Sequence, residues 1–188
     1  MGLPDHLERF LGIIRGGWTT DADGRKMPFS VVEFANGPRP DTATFSTLGL
    51  SKMPLHAETA LTHVYQELVI VVPDSLRIGP VPGILQHIGQ EAIRSGRAVL
   101  RGDLIGPRGP LFSAHSQMEA FYAANPLCFP DEFASYREGD RDVVLVWLMP
   151  ISRKEAEFIR AHGWSRFEDE LMQADLDLTD LRRRTLFD

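Results

Sequence analysis

Two uninterrupted apolar runs constrain this chain more than anything else in it. They are "ELVIVVP", residues 67–73, and "VVLVWLMP", residues 143–150. Each is far short of the ~20 residues of a membrane span. Neither alternates, so neither suits a strand with one face in water. Runs of this length between turn signals fit strands covered on both faces. The fold therefore needs a sheet with apolar layers packed on it. At 188 residues the chain can supply them, since a protein of this size buries about 70% of its unfolded surface. The single cysteine, Cys128, excludes a disulfide within the chain, so packing alone must hold the core.

The rest of the chain reads as a mixture of helix and strand. Leu3, Leu7, Phe10, Leu11 and Ile14 fall on one helical face, with a stop expected near Gly16-Gly17. "FSVVEFA", residues 29–35, and "TATFSTL", residues 42–48, flank the punctuation "NGPRP" and predict a hairpin. In the second run, Ala43 and Phe45 point one way and Thr42, Thr44 and Ser46 the other. A row of hydroxyls on one strand face is expected to pair across strands. That strand should end at Gly49, where glycine lets the chain turn out of the sheet.

Val81, Ile84, Leu85, Ile88 and Ala92 mark a second helix, closing near Gly96. "RGDLIGPRGP", residues 101–110, reads as a turn-rich connection, and residues 116–124 as a strand. Ser152 with Glu155, and Ser165 with Glu168, have capping-box spacing on either side of Gly163. The final "DLDLTDLRRRTLFD" returns to near-alternation. No linker, repeat or low-complexity run divides the chain. The expectation is one domain, residues 1–188, of α+β class, with a central mixed, mostly antiparallel sheet packed by helices.

Charge and motifs exclude several functions. A net charge of −6 gives no basic footprint for nucleic acid. No charged-then-apolar leader opens the chain, and no membrane partner is expected; the reading is a cytoplasmic protein. Neither the phosphate-loop pattern nor GxGxxG occurs, so no cofactor is expected. None of the six histidines forms HExxH, and one cysteine cannot build a thiolate zinc site. His56, Glu58 and His63 lie close together, in what reads as a loop, and are taken as a coincidence of sequence. No GxSxG elbow activates Ser46, Ser51, Ser113 or Ser116. Cys128, between Leu127 and Phe129, reads as a small apolar residue. His115 and Cys128 remain the one pair on which a dispersed hydrolase or transferase site could be built.

Five segments, in order, carry a resemblance. "TLGLSKMPL", with Thr47, Leu48, Gly49 and Ser51, is similar to the T-L-G-x-S element of the suppressor of fused family. "QELVIVV" resembles the strand that follows it there. "SGRAVLRGDLI" resembles the Gly-Asp element, with Gly102 and Asp103 as the pair. "VVLVWLMPISRKEAEFIRAHGWSRFEDEL" resembles the family's strand and paired helices. "TDLRRRTLF" resembles a T-D-M-R-R segment, with Asp180 and Arg182 matching. Together they span residues 29–187.

The resemblance implies the fold of that family's N-terminal domain, no catalysis, and binding of a protein partner. The animal protein grips a transcription-factor peptide between two domains. This chain matches the first, so that clamp is not expected to carry over. Single-domain bacterial relatives have been proposed as immunity proteins against secreted polymorphic toxins. An acidic inhibitor suits a basic toxin such as a nuclease. The acidic stretch 168–180 then offers Glu168, Asp169, Glu170 and Asp175 as candidate partner-binding residues, against the plainer reading of a solvated helix face.

Overall fold

The computed structural model describes residues 2–57 and 63–187. Helix α1 (Leu3–Leu11) leads into strands β1 (Ile14–Thr20), β2 (Lys26–Phe34) and β3 (Thr42–Leu48). A short 3-10 turn at Leu50–Lys52 joins β3 to β4 (Leu55–His56), and β5 (His63–Pro73) follows. Helix α2 (Val81–Ser95) is followed by β6 (Leu104–Ile105), β7 (Met118–Ala124), β8 (Ser135–Glu138) and β9 (Arg141–Ser152). Helices α3 (Arg153–His162) and α4 (Trp164–Gln173) come last.

The strands form one mixed sheet in the order β1-β2-β3-β5-β9-β7-β6, with β4 beside β5 and β8 beside β9. At its centre lie the two apolar runs. They pair in parallel, Tyr65 with Val143 through Val69 with Trp147. The other pairings between the named strands are antiparallel. Helix α2 covers one face, over Phe45, Ile70 and Leu148. Helices α1, α3 and α4 cover the other, over Val71, Trp147 and Met149. Both faces are thus dry, as the unbroken apolar runs require.

The hairpin β2–β3 forms as expected, with Phe34 opposite Thr44 and Ser30 opposite Leu48. Helix α2 ends at Gly96 with φ +69°, and residues 118–124 are a strand. The Ser152–Glu155 box closes α3: Glu155 N donates to Ser152 Oγ, and Ser152 N donates to Glu155 Oε2.

Five local expectations are corrected. Helix α1 stops at Leu11, because Gly12 turns the chain at φ +72°. Ile14 and Gly16 then alternate with exposed residues along β1, since their spacing fits a period of two as well as a helical one. The hydroxyls of β3 are buried beside apolar neighbours rather than paired with one another: Thr44 sits between Phe34 and Val71, and Ser46 between Val32 and Val69. Ser165 lies inside α4, whose N-cap is Gly163, and Glu168 is drawn away to Arg101 and Tyr122. Residues 174–187 form turns rather than a strand, although Leu181 and Arg183 are buried in alternation. His56 and His63 stand on strands β4 and β5, not in a loop. Glu58, grouped with them above, lies outside the described residues.

Candidate functional site

The family-like segments assemble three internal clamps. In the first, Glu67 of β5 is fully buried and faces the turn after β3. Its Oε1 accepts from Gly49 N at 2.8 Å, Ser51 N at 3.1 Å and Ser51 Oγ at 2.7 Å. Its Oε2 accepts from Thr47 Oγ1 at 2.6 Å and Leu50 N at 3.2 Å. Thr47 Oγ1 also accepts from Leu68 N, which leaves its proton for Glu67. Burial pushes the Glu67 carboxyl above its ordinary value, against the downward pull of the Thr47, Ser51 and Gly49 donors. Gly49 sits at φ +98°, the left-handed turn that aims three successive backbone regions at one carboxylate. The hydroxyls of 47–51 are therefore structural donors. The Thr47 and Ser51 protons both point at the buried Glu67 carboxylate and hold the turn against β5.

The second clamp joins the Gly102-Asp103 turn to α4. Gly102 has φ +99°, and a Cβ there would lie 2.8 Å from Trp164 Cδ1. Asp103 Oδ2 accepts from Leu100 N at 2.9 Å. Arg101 stacks over Trp164, 5.1 Å from the ring centroid. Its guanidinium Nε donates to Glu168 Oε1 at 3.0 Å, and Tyr122 Oη donates to the same oxygen at 2.7 Å. Burial opposes charge on Glu168, but the Arg101 and Tyr122 bonds outweigh it and hold the carboxyl below its ordinary value. The Tyr122 hydroxyl is pushed up, by burial first and then by Glu168.

The third clamp fastens the end of the chain. Arg182, matched by the motif, is exposed, while its neighbour Arg183 is buried against Glu155. Asp180 Oδ1 accepts from Arg182 N, a local turn contact. The residues singled out in the motif matches do not include Glu67 or Arg183, and the capping-box spacing of Glu155 does not reveal its pairing with Arg183. A charged residue inside an apolar run, as Glu67 is beside "LVIVV", was the available signal for the first.

The proposed partner-binding residues fall unequally. Glu168 is engaged in the second clamp, with only 14% of its side chain exposed. Asp169 and Asp175 are exposed and Glu170 is half-buried. Asp175 has φ +44° and turns the chain out of α4.

His115 and Cys128 are not brought together. His115 lines a depression with Phe112, Ser116 and Arg182. Cys128 lines another with Leu127, Arg39 and Asp177. Burial pushes the Cys128 thiol up to about 12, so it is no ready nucleophile. Among the described residues, no group of three or more His, Cys, Asp or Glu side chains comes together to hold a metal ion. No described helix is long and apolar enough to cross a membrane.

An apolar groove of about 450 Å³ lies between α2 and the sheet edge, floored by Ile84, Ile88, Ile105, Leu111 and Phe121. It continues past His87 into a more polar hollow of about 300 Å³ that includes Glu91, Arg97 and Asp103. Where the two meet, Arg108 Nη1 lies 2.8 Å from His87 Nε2. An apolar floor with a few charged groups at its rim is the make-up of a recognition site.

Among the described residues, a nine-stranded mixed sheet covered by helices on both faces and closed by these three clamps defines an α+β fold. The family model of the suppressor of fused protein matches residues 25–184, and the chain belongs to that family. It is 19% identical over 164 residues to the immunity protein YqcF of Bacillus subtilis (strain 168), covering 87% of this chain and 84% of that protein. The fold is shared with a suppressor of fused homologue from Neisseria gonorrhoeae, with a TM-score of 0.73 at 20% identity over 97% of this chain and 93% of that one. It is shared too with a chain of the Sufu-Fu complex, with a TM-score of 0.70 at 16% identity over 98% and 90% of the two chains. Drosophila suppressor of fused gives a TM-score of 0.62 at 18% identity, over 85% of this chain but 43% of the fly protein.

Proposed function

We propose that this chain is a non-enzymatic protein-binding module of the immunity type, which silences a toxin by occupying it. The observation that carries this reading is the similarity to an immunity protein along nearly the full length of both chains. The buried carboxylates support it as well: Glu67 and Glu155 are shut off from solvent and filled by the protein's own donors. Two surfaces serve the reading. The groove beside α2 offers pockets for apolar anchors of the toxin. The exposed acids Asp169 and Asp175, with the half-buried Glu170, steer a basic partner, in keeping with the net charge of −6. The alternative, a hydrolase or transferase at His115 and Cys128, is unsupported because the two residues line separate depressions.

The test is protection. Affinity capture from the native organism, or the product of a neighbouring large toxin gene, supplies the partner. The chain is then co-expressed with it. Charge reversal at Asp169, Glu170 and Asp175 together is expected to slow association and weaken protection, while Ile84→Asp in the groove is expected to abolish it. Full protection by both variants at matched expression would reject these faces. A captured toxin that the wild-type chain fails to neutralise would reject the immunity reading itself.

A further inference from the structure

We propose that His56 and His63 form a two-imidazole site for a divalent transition metal ion of the zinc, nickel or copper type. The two residues are direct antiparallel partners on β4 and β5. Their ring centroids stand 4.8 Å apart, with planes inclined at 52°. Two imidazoles on one metal, at about 2.0–2.1 Å per nitrogen and about 90–109° between them, hold their centroids about 4.4–5.1 Å apart. The observed separation falls inside that interval, so chelation needs rotation about side-chain bonds and no movement of backbone.

The backbone beneath the pair is fixed on both sides. His56 N donates to Gly96 O at 2.8 Å, and Ala98 N donates to His56 O at 2.9 Å. His63 begins the eleven-residue strand β5, the central strand that pairs with β9. Ligands held on strands lose little freedom on binding, which favours even a site with few ligands. Both side chains are exposed, so solvent can fill the remaining coordination positions. Nitrogen donors suit zinc, nickel or copper, and exclude calcium and magnesium, which take oxygen. Arg97 is the bridge partner of His56, and its positive charge lowers affinity for a cation. The site is therefore a weak and exchangeable one, not a structural centre on which folding depends.

The experiment is a titration of the tag-free full chain with zinc chloride, followed by calorimetry and by NMR of the histidine side chains. One equivalent is expected to bind saturably and to shift the imidazole signals of His56 and His63, with the other four histidines unmoved. His56→Asn and His63→Asn should each weaken binding by about tenfold or more, and the double variant should abolish it. Both positions are exposed, so the metal-free melting temperature of each variant should match wild type and keep the comparison valid. Absence of saturable binding up to about 1 mM zinc would overturn the proposal. So would a double variant that titrates like wild type, or zinc shifts confined to His6, His87, His115 and His162.

Discussion

Arg183 lies against Glu155 with Nη1 2.6 Å from Oε1 and Nη2 3.0 Å from Oε2, and both side chains are almost wholly shut off from solvent. Glu155 is also the capping residue of α3, and its Oε1 accepts from Leu186 N at 3.2 Å. One carboxylate thus closes a helix, neutralises a buried guanidinium and fastens the end of the chain. Phe187 stacks on Phe158 of α3 at 3.8 Å to finish the attachment.

Removing one member of such a pair strands the other charge out of water. Arg183→Met is expected to lower unfolding free energy by about 3–5 kcal/mol. The double variant Arg183→Met with Glu155→Gln should be less damaged than the sum of its singles. Urea denaturation of the four proteins measures this. Strict additivity would show that the two side chains act independently.

At Glu155 burial works against charge, but the bonds and charge of Arg183 prevail and lower the carboxyl. Glu168 is lowered through Arg101 and Tyr122 despite its burial, and Asp177 chiefly through its bond from Thr179. A carboxyl lowered by folding contributes stability above its unfolded value, near 4 for these groups (roughly 3.9–4.3). That contribution is lost as pH falls through the folded value. Glu67, pushed up by burial, has the opposite sign and softens the trend. Urea midpoints should therefore fall from pH 5 towards pH 2.5, and Glu155→Gln should show a lower midpoint at neutral pH with a shallower decline. A parallel decline in that variant would remove Glu155 from the account.

The glycines of the two family-like turns should respond differently to alanine. At Gly49 a Cβ meets nothing nearer than 3.9 Å, so Gly49→Ala bears only the left-handed backbone cost of about 1–2 kcal/mol. Gly49→Val should cost more, since a β-branched residue tolerates φ +98° worst. Gly102→Ala adds the collision with Trp164 at 2.8 Å. It should be the more damaging alanine, and Trp164→Ala should recover part of its loss. Equal melting temperatures for the two alanine variants would deny Trp164 that role.

Glu67→Gln presents an amide to donors that already fill both oxygens. One end of the side chain must then face N–H or O–H groups with its own N–H. The expected loss is about 2–3 kcal/mol. Thr47→Val should cost less when added to it than it does alone, because the bond to Glu67 is already weakened and only the acceptor for Leu68 N remains to be lost. Additive losses, read from urea curves, would show that the hydroxyl matters mainly to Leu68 N.

Much of this architecture could be read from short stretches. The strands at residues 67–73 and 143–150, helix α2 and the Ser152–Glu155 cap each depend on a few neighbouring residues. The α1–β1 boundary escaped because Ile14 satisfies two periods at once, and Gly12 decides between them. The Ser165–Glu168 spacing deceived because a carboxylate goes to its best donors, and Arg101 lies 67 residues away in sequence. Glu67 with 47–51 and Arg183 with Glu155 are meetings across strands or helices, which no local pattern encodes. The candidate faces were the least legible, since a groove exists only after α2 has been laid against the sheet edge.

The parallel pairing of β5 with β9 bears on how this protein comes into being. Tyr65 must find Val143, and Glu67 must find Leu145, across an intervening stretch that itself contains α2 and β7. Contacts so remote carry a loop-closure penalty before they return any burial, which slows folding. Hairpin β2–β3 with β5 can form early from near neighbours, but the outer edge of β5 then waits, apolar and unpaired, for a strand made much later by the ribosome. During that interval the nascent chain displays "LVIVV" as an open edge, the feature most prone to wrong pairing. Truncations that end before residue 141 should for this reason aggregate rather than persist as smaller folded pieces.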